Sequence, residues 1–223
     1  MSAVIGEILP LALGIAISPI PIIAAILMLL SPRARVTSVG FLLGWVLGIV
    51  IAVTVFTLLS AIIPEDDPDA SKPVQATIQL TLGLLLLVLA VGQWRKRPKA
   101  GEQPVMPKWM QAIDTISFPV AFGLGFLLSA LNPKNLLMAV GAGLEIGPAA
   151  LPTGEIVAVI AIFTLLAAST VLVPVIGYLL AASHLRGLLD ELRGWLAQHN
   201  ATIMSVLLLV IGVSMIGKGI AAY

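Results

Sequence analysis

Asn132, Pro133, Lys134 and Asn135 sit together inside a long apolar stretch, "SALNPKNLLMAV". A lysine in hydrocarbon costs roughly 2.5–3.5 kcal/mol even on a lenient insertion scale, and a proline removes a rung of the helical hydrogen-bond ladder. Two readings account for them. In one, Pro133 closes a half-helix, and Lys134 and Asn135 open the next. The unpaired amides and positive dipole of that new N-terminus would draw an anion, and Lys134 would add a full charge. A phosphate, sulfate or carboxylate fits such a site, with Asn132 and Asn135 hydrogen-bonding a headgroup or freed carbonyls. In the other reading, Lys134 meets a carbonyl or reaches outward, and the asparagines only cap half-helices.

A second break, Ser18-Pro19-Ile20-Pro21, withdraws two amide donors and so frees carbonyls around residues 13–17. Those carbonyls either line a polar cavity facing the first break or are met by Ser18 and neighbouring helices. Ser18, Pro19 and Pro21 therefore join Ser129, Asn132, Pro133, Lys134 and Asn135 as candidate substrate-binding residues. Arg33 and Arg35 are most simply orientation charges; the other use for them is contact with anionic headgroups arriving from the inner leaflet.

The chemistry these residues do not offer is equally informative. The chain has 223 residues, 59% hydrophobic and 10% charged, where a soluble domain carries about 25% charged residues. There is too little polar surface to cover a water-soluble globule, so this is an all-α integral membrane protein. With no cysteine, disulfides, thiolate metal sites and cysteine nucleophiles are excluded. The apolar stretches hold no histidine and no acidic pair; acid–base or metal chemistry would have to rely on loop residues such as Asp114 and Glu145. The expectation is no enzyme, no catalytic residue, no metal, no cofactor and no nucleic-acid partner. Glu7 is the only charge in the first ten residues, so the first apolar segment reads as a retained span rather than a cleaved signal.

A span needs about 20 apolar residues. Six stretches qualify: 8–31, 36–64, 73–94, 115–144, 156–183 and 201–219. The loops after the first, third and fifth hold nine of the twelve Lys and Arg residues, among them Arg33, Arg35, Arg95, Lys96 and Arg193. Those loops are expected in the cytoplasm, with both termini outside. The resulting organisation is a three-helix unit over 1–94, a basic cytoplasmic linker over 95–112, and a second three-helix unit over 113–223. Within the second, 184–198 reads as an amphipathic surface helix, with Leu185, Leu188, Leu189, Leu192, Trp195 and Leu196 on one face. Gly40, Gly44 and Gly48 give the second span a smooth face for close helix contact, within the chain or in a homodimer. Gln75 and Gln79 lie one turn apart near the outer surface, and Thr164, Ser169 and Thr170 could line a path.

The two breaks match in layout. Gly14-x-x-x-Ser18 precedes one and Gly125-x-x-x-Ser129 the other, and each proline lies about 18 Å from the end of its span if the second half is helical. Three spans separate them, so the second copy enters the membrane upside down: two inverted three-helix repeats with broken first and fourth helices. The strings "SPIPIIAAILMLLSPRARVTSVGFLLGW" and "LNPKNLLMAVGAG" resemble the glycolipid-addressing proteins of actinobacteria. That group, often called GAP or Sap, belongs to the broader LysE superfamily of exporters. The amino-acid exporters of that superfamily carry a Pro-Gly-Pro type break; Ile20 stands in the middle here, which favours the glycolipid branch. The resemblance implies a plasma-membrane transporter or flippase that moves a polar, anionic or glycosylated lipid, or a lipid-linked glycan, toward the cell envelope. Its alternative is export of amino acids or other small polar solutes.

Overall fold

The computed structural model describes residues 1–62, 73–98, 110, 113 and 115–222, with the side chains of 181–186 left aside. The acidic 65–72 stretch, most of the 95–112 linker, Trp109 and Asp114 lie outside the described residues. Among the described residues seven helices run in order: α1 Ser2–Ala16, α2 Pro19–Leu30, α3 Ala34–Ser60, α4 Pro73–Arg95, α5 Phe118–Ala130, α6 Pro133–Ile146 and α7 Thr153–Ala221. Four stretches of them are long and apolar enough to cross a membrane, and six if each bent pair counts as one span.

Both breaks fall where a residue precedes proline. Proline's ring disfavours the helical region for its predecessor, and both Ser18 (ψ 100°) and Asn132 (ψ 121°) take extended backbone. The prolines themselves suit the first turn of the next helix, whose amides have no intrahelical partner anyway. The result is a 53° bend between α1 and α2 and a 59° bend between α5 and α6.

Neither bent pair doubles back. Gly40, Gly44 and Gly48 of α3 meet Phe118, Phe122 and Ser129 of α5 in turn; farther along, α3 meets α6, with Phe56 at Gly143 and Ser60 at Gly147. α5 and α6 thus run parallel to α3 along its length. In the same way α1 and α2 follow the first part of α7. The Met1 amine lies 3.9 Å from Glu155, the Ala16 carbonyl accepts from Thr170, and the turn after α2 shares a cavity with Tyr178.

α7 cannot be a straight rod. Its 69 residues would extend about 100 Å, yet Glu155 near its start meets Met1 and Lys218 near its end meets Glu7, both on the first turns of α1. The chain therefore reverses between the span-length stretches Thr153–Leu180 and Gly187–Ala221. The second of these runs antiparallel to α4, with Gly83 near Ile216 and Gly219 near Leu80. The 184–198 segment is helical within α7. Leu189 and Leu196 turn into the core, whereas Leu188 and Trp195 face outward.

The glycine face of α3 is used within the chain. A Cβ on Gly44 would stand 2.0 Å from the Phe122 carbonyl oxygen, and one on Gly125 would stand 2.2 Å from that of Phe41. Each glycine lets the other helix's backbone approach. Outward, large aliphatic side chains such as Leu58, Leu84, Val88, Leu165 and Val173 are exposed. An apolar exterior of this extent needs a lipid environment.

Candidate functional site

The two breaks meet. Gly14's carbonyl would ordinarily accept the amide of Ser18, but that amide has turned to the Ala16 carbonyl at 2.9 Å. The freed Gly14 oxygen is instead taken by Lys134 Nζ, which also donates to the Ser18 hydroxyl. Thr170 Oγ1 donates to the Ala16 carbonyl at 2.5 Å. Pro19 and Pro21, lacking N–H groups, offer nothing to the carbonyls of Ile15 and Ile17.

The second break is met from the same short segment. Asn132 Oδ1 accepts the Lys134 amide at 3.1 Å and so caps α6, while Asn135 Nδ2 donates to the Leu128 carbonyl at 3.0 Å, in the last turn of α5. One turn of α6 thus satisfies the exposed carbonyl ends of two different half-helices. The carbonyl reading of Lys134 and the capping reading of the asparagines describe these contacts.

The electrostatics are not balanced by those contacts. Lys134 and Asn135 are 5% and 2% exposed, and Lys134 pairs with no carboxylate among the described residues. Its acceptors are neutral, apart from the negative end of the α1 dipole. Asn135 Oδ1 has no hydrogen-bond partner. The junction therefore buries a lysine amine at the N-terminus of α6, where an anion is favoured.

Of the other candidates, Ser129 is buried against Gly48 of α3 and its hydroxyl donates to the Phe126 carbonyl at 3.0 Å. Its hydroxyl thus sits in the α3–α5 contact. Arg33 and Arg35 are exposed on an open cavity of about 460 Å³ shared with Ser31, Val36 and Tyr178. All of α2, about 18 Å of helix, separates them from Ser18.

Sequence reasoning missed a second polar cluster, formed by Glu7, Gln79, Glu145 and Lys218 at the end of the bundle that carries the termini. Glu145 is 66 residues from Gln79 and 73 from Lys218, so no local spacing could have announced it.

A family model described as Sap, sulfolipid-1-addressing protein, matches residues 8–221. No curated protein and no solved structure matches the chain.

Proposed function

The chain belongs to the sulfolipid-1-addressing protein family, and on that premise we propose that it is a transporter or flippase for a polar lipid with an anionic or glycosylated headgroup. The observation that carries the proposal is Lys134: a buried lysine amine held by neutral acceptors at the meeting point of two helix breaks. An incoming phosphate or sulfate supplies the counter-charge that no described carboxylate provides. Because the helices present aliphatic side chains outward, acyl chains can stay in the bilayer while the headgroup passes the junction.

The arrangement around the junction supports the inverted-repeat reading. Exchanging the two halves of the chain exchanges the α3 pairing with α5–α6 for the pairing of the first part of α7 with α1–α2. Both pairings are parallel, and the exchange leaves the contact of α4 with the end of α7 in place. In this reading each bent pair is one broken span, giving six. Membership of the broader LysE exporter superfamily belongs to the same proposal and rests on the likeness of the proline breaks. A homodimer would have to use a face other than the Gly40–Gly48 stripe, which α5 covers.

Orientation in the plasma membrane is assigned from charge. Arg33, Arg35, Arg95, Lys96 and Arg193 lie at the end opposite the termini and are assigned to the cytoplasm. An N-terminal tag on intact spheroplasts should be removed by external protease; a protected tag would reverse the assignment. On this side Arg33 and Arg35 would collect anionic headgroups through an attraction that weakens with salt.

The decisive experiment is lipid profiling of a deletion strain, with inner and surface pools compared. The polar lipid should accumulate inside and be depleted at the surface, and the intact gene should restore it. A gene carrying Arg33→Ser and Arg35→Ser should restore export several-fold less well. An unchanged distribution of every polar lipid in the deletion strain would sink the proposal.

A further inference from the structure

Glu7 of α1, Gln75 and Gln79 of α4, Glu145 of α6 and Lys218 of α7 surround a cavity of about 270 Å³ at the end that carries the chain termini. Lys218 Nζ donates to Glu7 Oε2 at 2.5 Å, to the Glu7 carbonyl at 3.4 Å and to Glu145 Oε1 at 3.0 Å. All three of its N–H groups are thereby used. Gln79 Nε2 donates to the same Glu145 oxygen at 3.3 Å, and Gln75 Nε2 donates to the Leu144 carbonyl at 3.4 Å.

What remains is a surplus of acceptors. Gln79 is 3% exposed and its Oε1 has no hydrogen-bond partner. Among the described residues, Glu7 Oε1 and Glu145 Oε2 receive no hydrogen bond either. Two carboxylates against one ammonium leave a net charge of −1 around the cavity. A buried amide oxygen left without a donor is costly, and a ligand that offers positive charge to oxygen atoms would relieve both deficits.

We infer that this cavity binds a singly charged hard cation, of the sodium or potassium class, through Gln79 Oε1 and the free carboxylate oxygens of Glu145 and Glu7. Hard cations take oxygen ligands of this kind, carboxylates and amide carbonyls together. The charge argues against a divalent ion, because Lys218 already neutralises one of the two carboxylates. Consistently, among the described residues no group of three or more His, Cys, Asp or Glu side chains converges. An anion would meet a like-signed cluster. Among the described residues, the other charged groups toward this end, the Met1 amine and Glu155, pair with each other, and α4 contributes only amides to the cavity.

The site also has a route to the junction. Its carboxylates sit on α1 and α6, the two helices that Lys134 and Gly14 join farther along. A cation gripping both would add a direct tie between α1 and α6 beside the bridge that Lys218 already makes to both carboxylates. Cation binding itself does not depend on the lipid-handling reading.

The test uses the full chain in nanodiscs without added lipid substrate. The unfolding midpoint is followed as sodium chloride or potassium chloride replaces choline chloride at constant ionic strength. The midpoint should rise with alkali-ion concentration, as a ligand specific for the native state requires, and choline should have no such effect. Gln79→Leu leaves the Lys218 ion pairs in place and should weaken alkali-ion affinity at least tenfold; Glu145→Gln should do the same. Equal stabilisation by choline, a full alkali-ion response in Gln79→Leu, or a response to pH alone would overturn the site. An unchanged lipid distribution in the deletion strain, with alkali-ion binding intact, would count against the transport reading and leave this one standing.

Discussion

Lys134→Ala is expected to abolish lipid export while leaving the protein inserted and folded. Two opposing effects keep the stability change small. The Gly14 carbonyl and the Ser18 hydroxyl lose a donor, and each buried polar group left unpaired costs about 1–3 kcal/mol. Against this, the variant no longer buries a lysine side chain, which costs roughly 2.5–3.5 kcal/mol on the insertion scale. Nothing offsets the loss of positive charge at the α6 N-terminus, so an anionic headgroup finds only helix dipoles there. Asn132→Ala should act more gradually, because it removes the cap on the Lys134 amide, typically worth about 1 kcal/mol, and keeps the ammonium. Export in reconstituted vesicles separates the outcomes. A correctly inserted Lys134→Ala protein that moves lipid at the wild-type rate would refute the role given to this residue.

Gly44→Val should prevent α3 from seating against α5. A Cβ at residue 44 would lie 2.0 Å from the Phe122 carbonyl oxygen, 2.8 Å from its carbon and 2.9 Å from the Phe126 nitrogen. All three are backbone atoms, so no side-chain rotation makes room and the helices must part. Overpacking costs about 1–3 kcal/mol where side chains can adjust, and here the adjustment is a displacement of the whole of α5. Gly92→Ala is the matched control. Nothing lies within 4 Å of its added carbon, and alanine is the better helix former by about 0.8–1.0 kcal/mol. Unfolding midpoints in nanodiscs should fall sharply for Gly44→Val and hold or rise for Gly92→Ala. Equal midpoints for the two would contradict the close approach of α3 and α5.

What could be read from the sequence was governed by local chemistry. Both breaks were legible because a proline dictates its predecessor's backbone and its own missing amide, whatever surrounds it. The freed carbonyls were legible for the same reason, and two of them, on Gly14 and Ala16, do take unusual donors. Which donors they take was not legible. That depends on the Ser18 amide turning to Ala16, and on Lys134 and Thr170 arriving from helices 120 and 154 residues away. The glycine stripe announced close packing but left its partner open between another helix of the chain and a second chain. The segment 184–198 showed a helical apolar stripe, which was visible, but the division of that stripe between core and exterior depends on how α7 folds back. Ser129 illustrates the same limit. Its place in the Gly125-x-x-x-Ser129 pattern was visible, whereas its contact with Gly48 of α3 was not.

The bond between Gly14 and Lys134 also has a temporal side. The acceptor is made first, and its donor is encoded 120 residues later. At about 5–20 residues per second, the ribosome takes roughly 6–24 s to deliver it. During that interval the first broken helix is already translated, with its carbonyl still waiting for the ammonium. Membrane proteases that survey nascent chains would meet the protein at this moment, and a pause in synthesis before codon 134 would prolong it. The Ala16 carbonyl of the same break waits longer still, for a donor encoded 154 residues on.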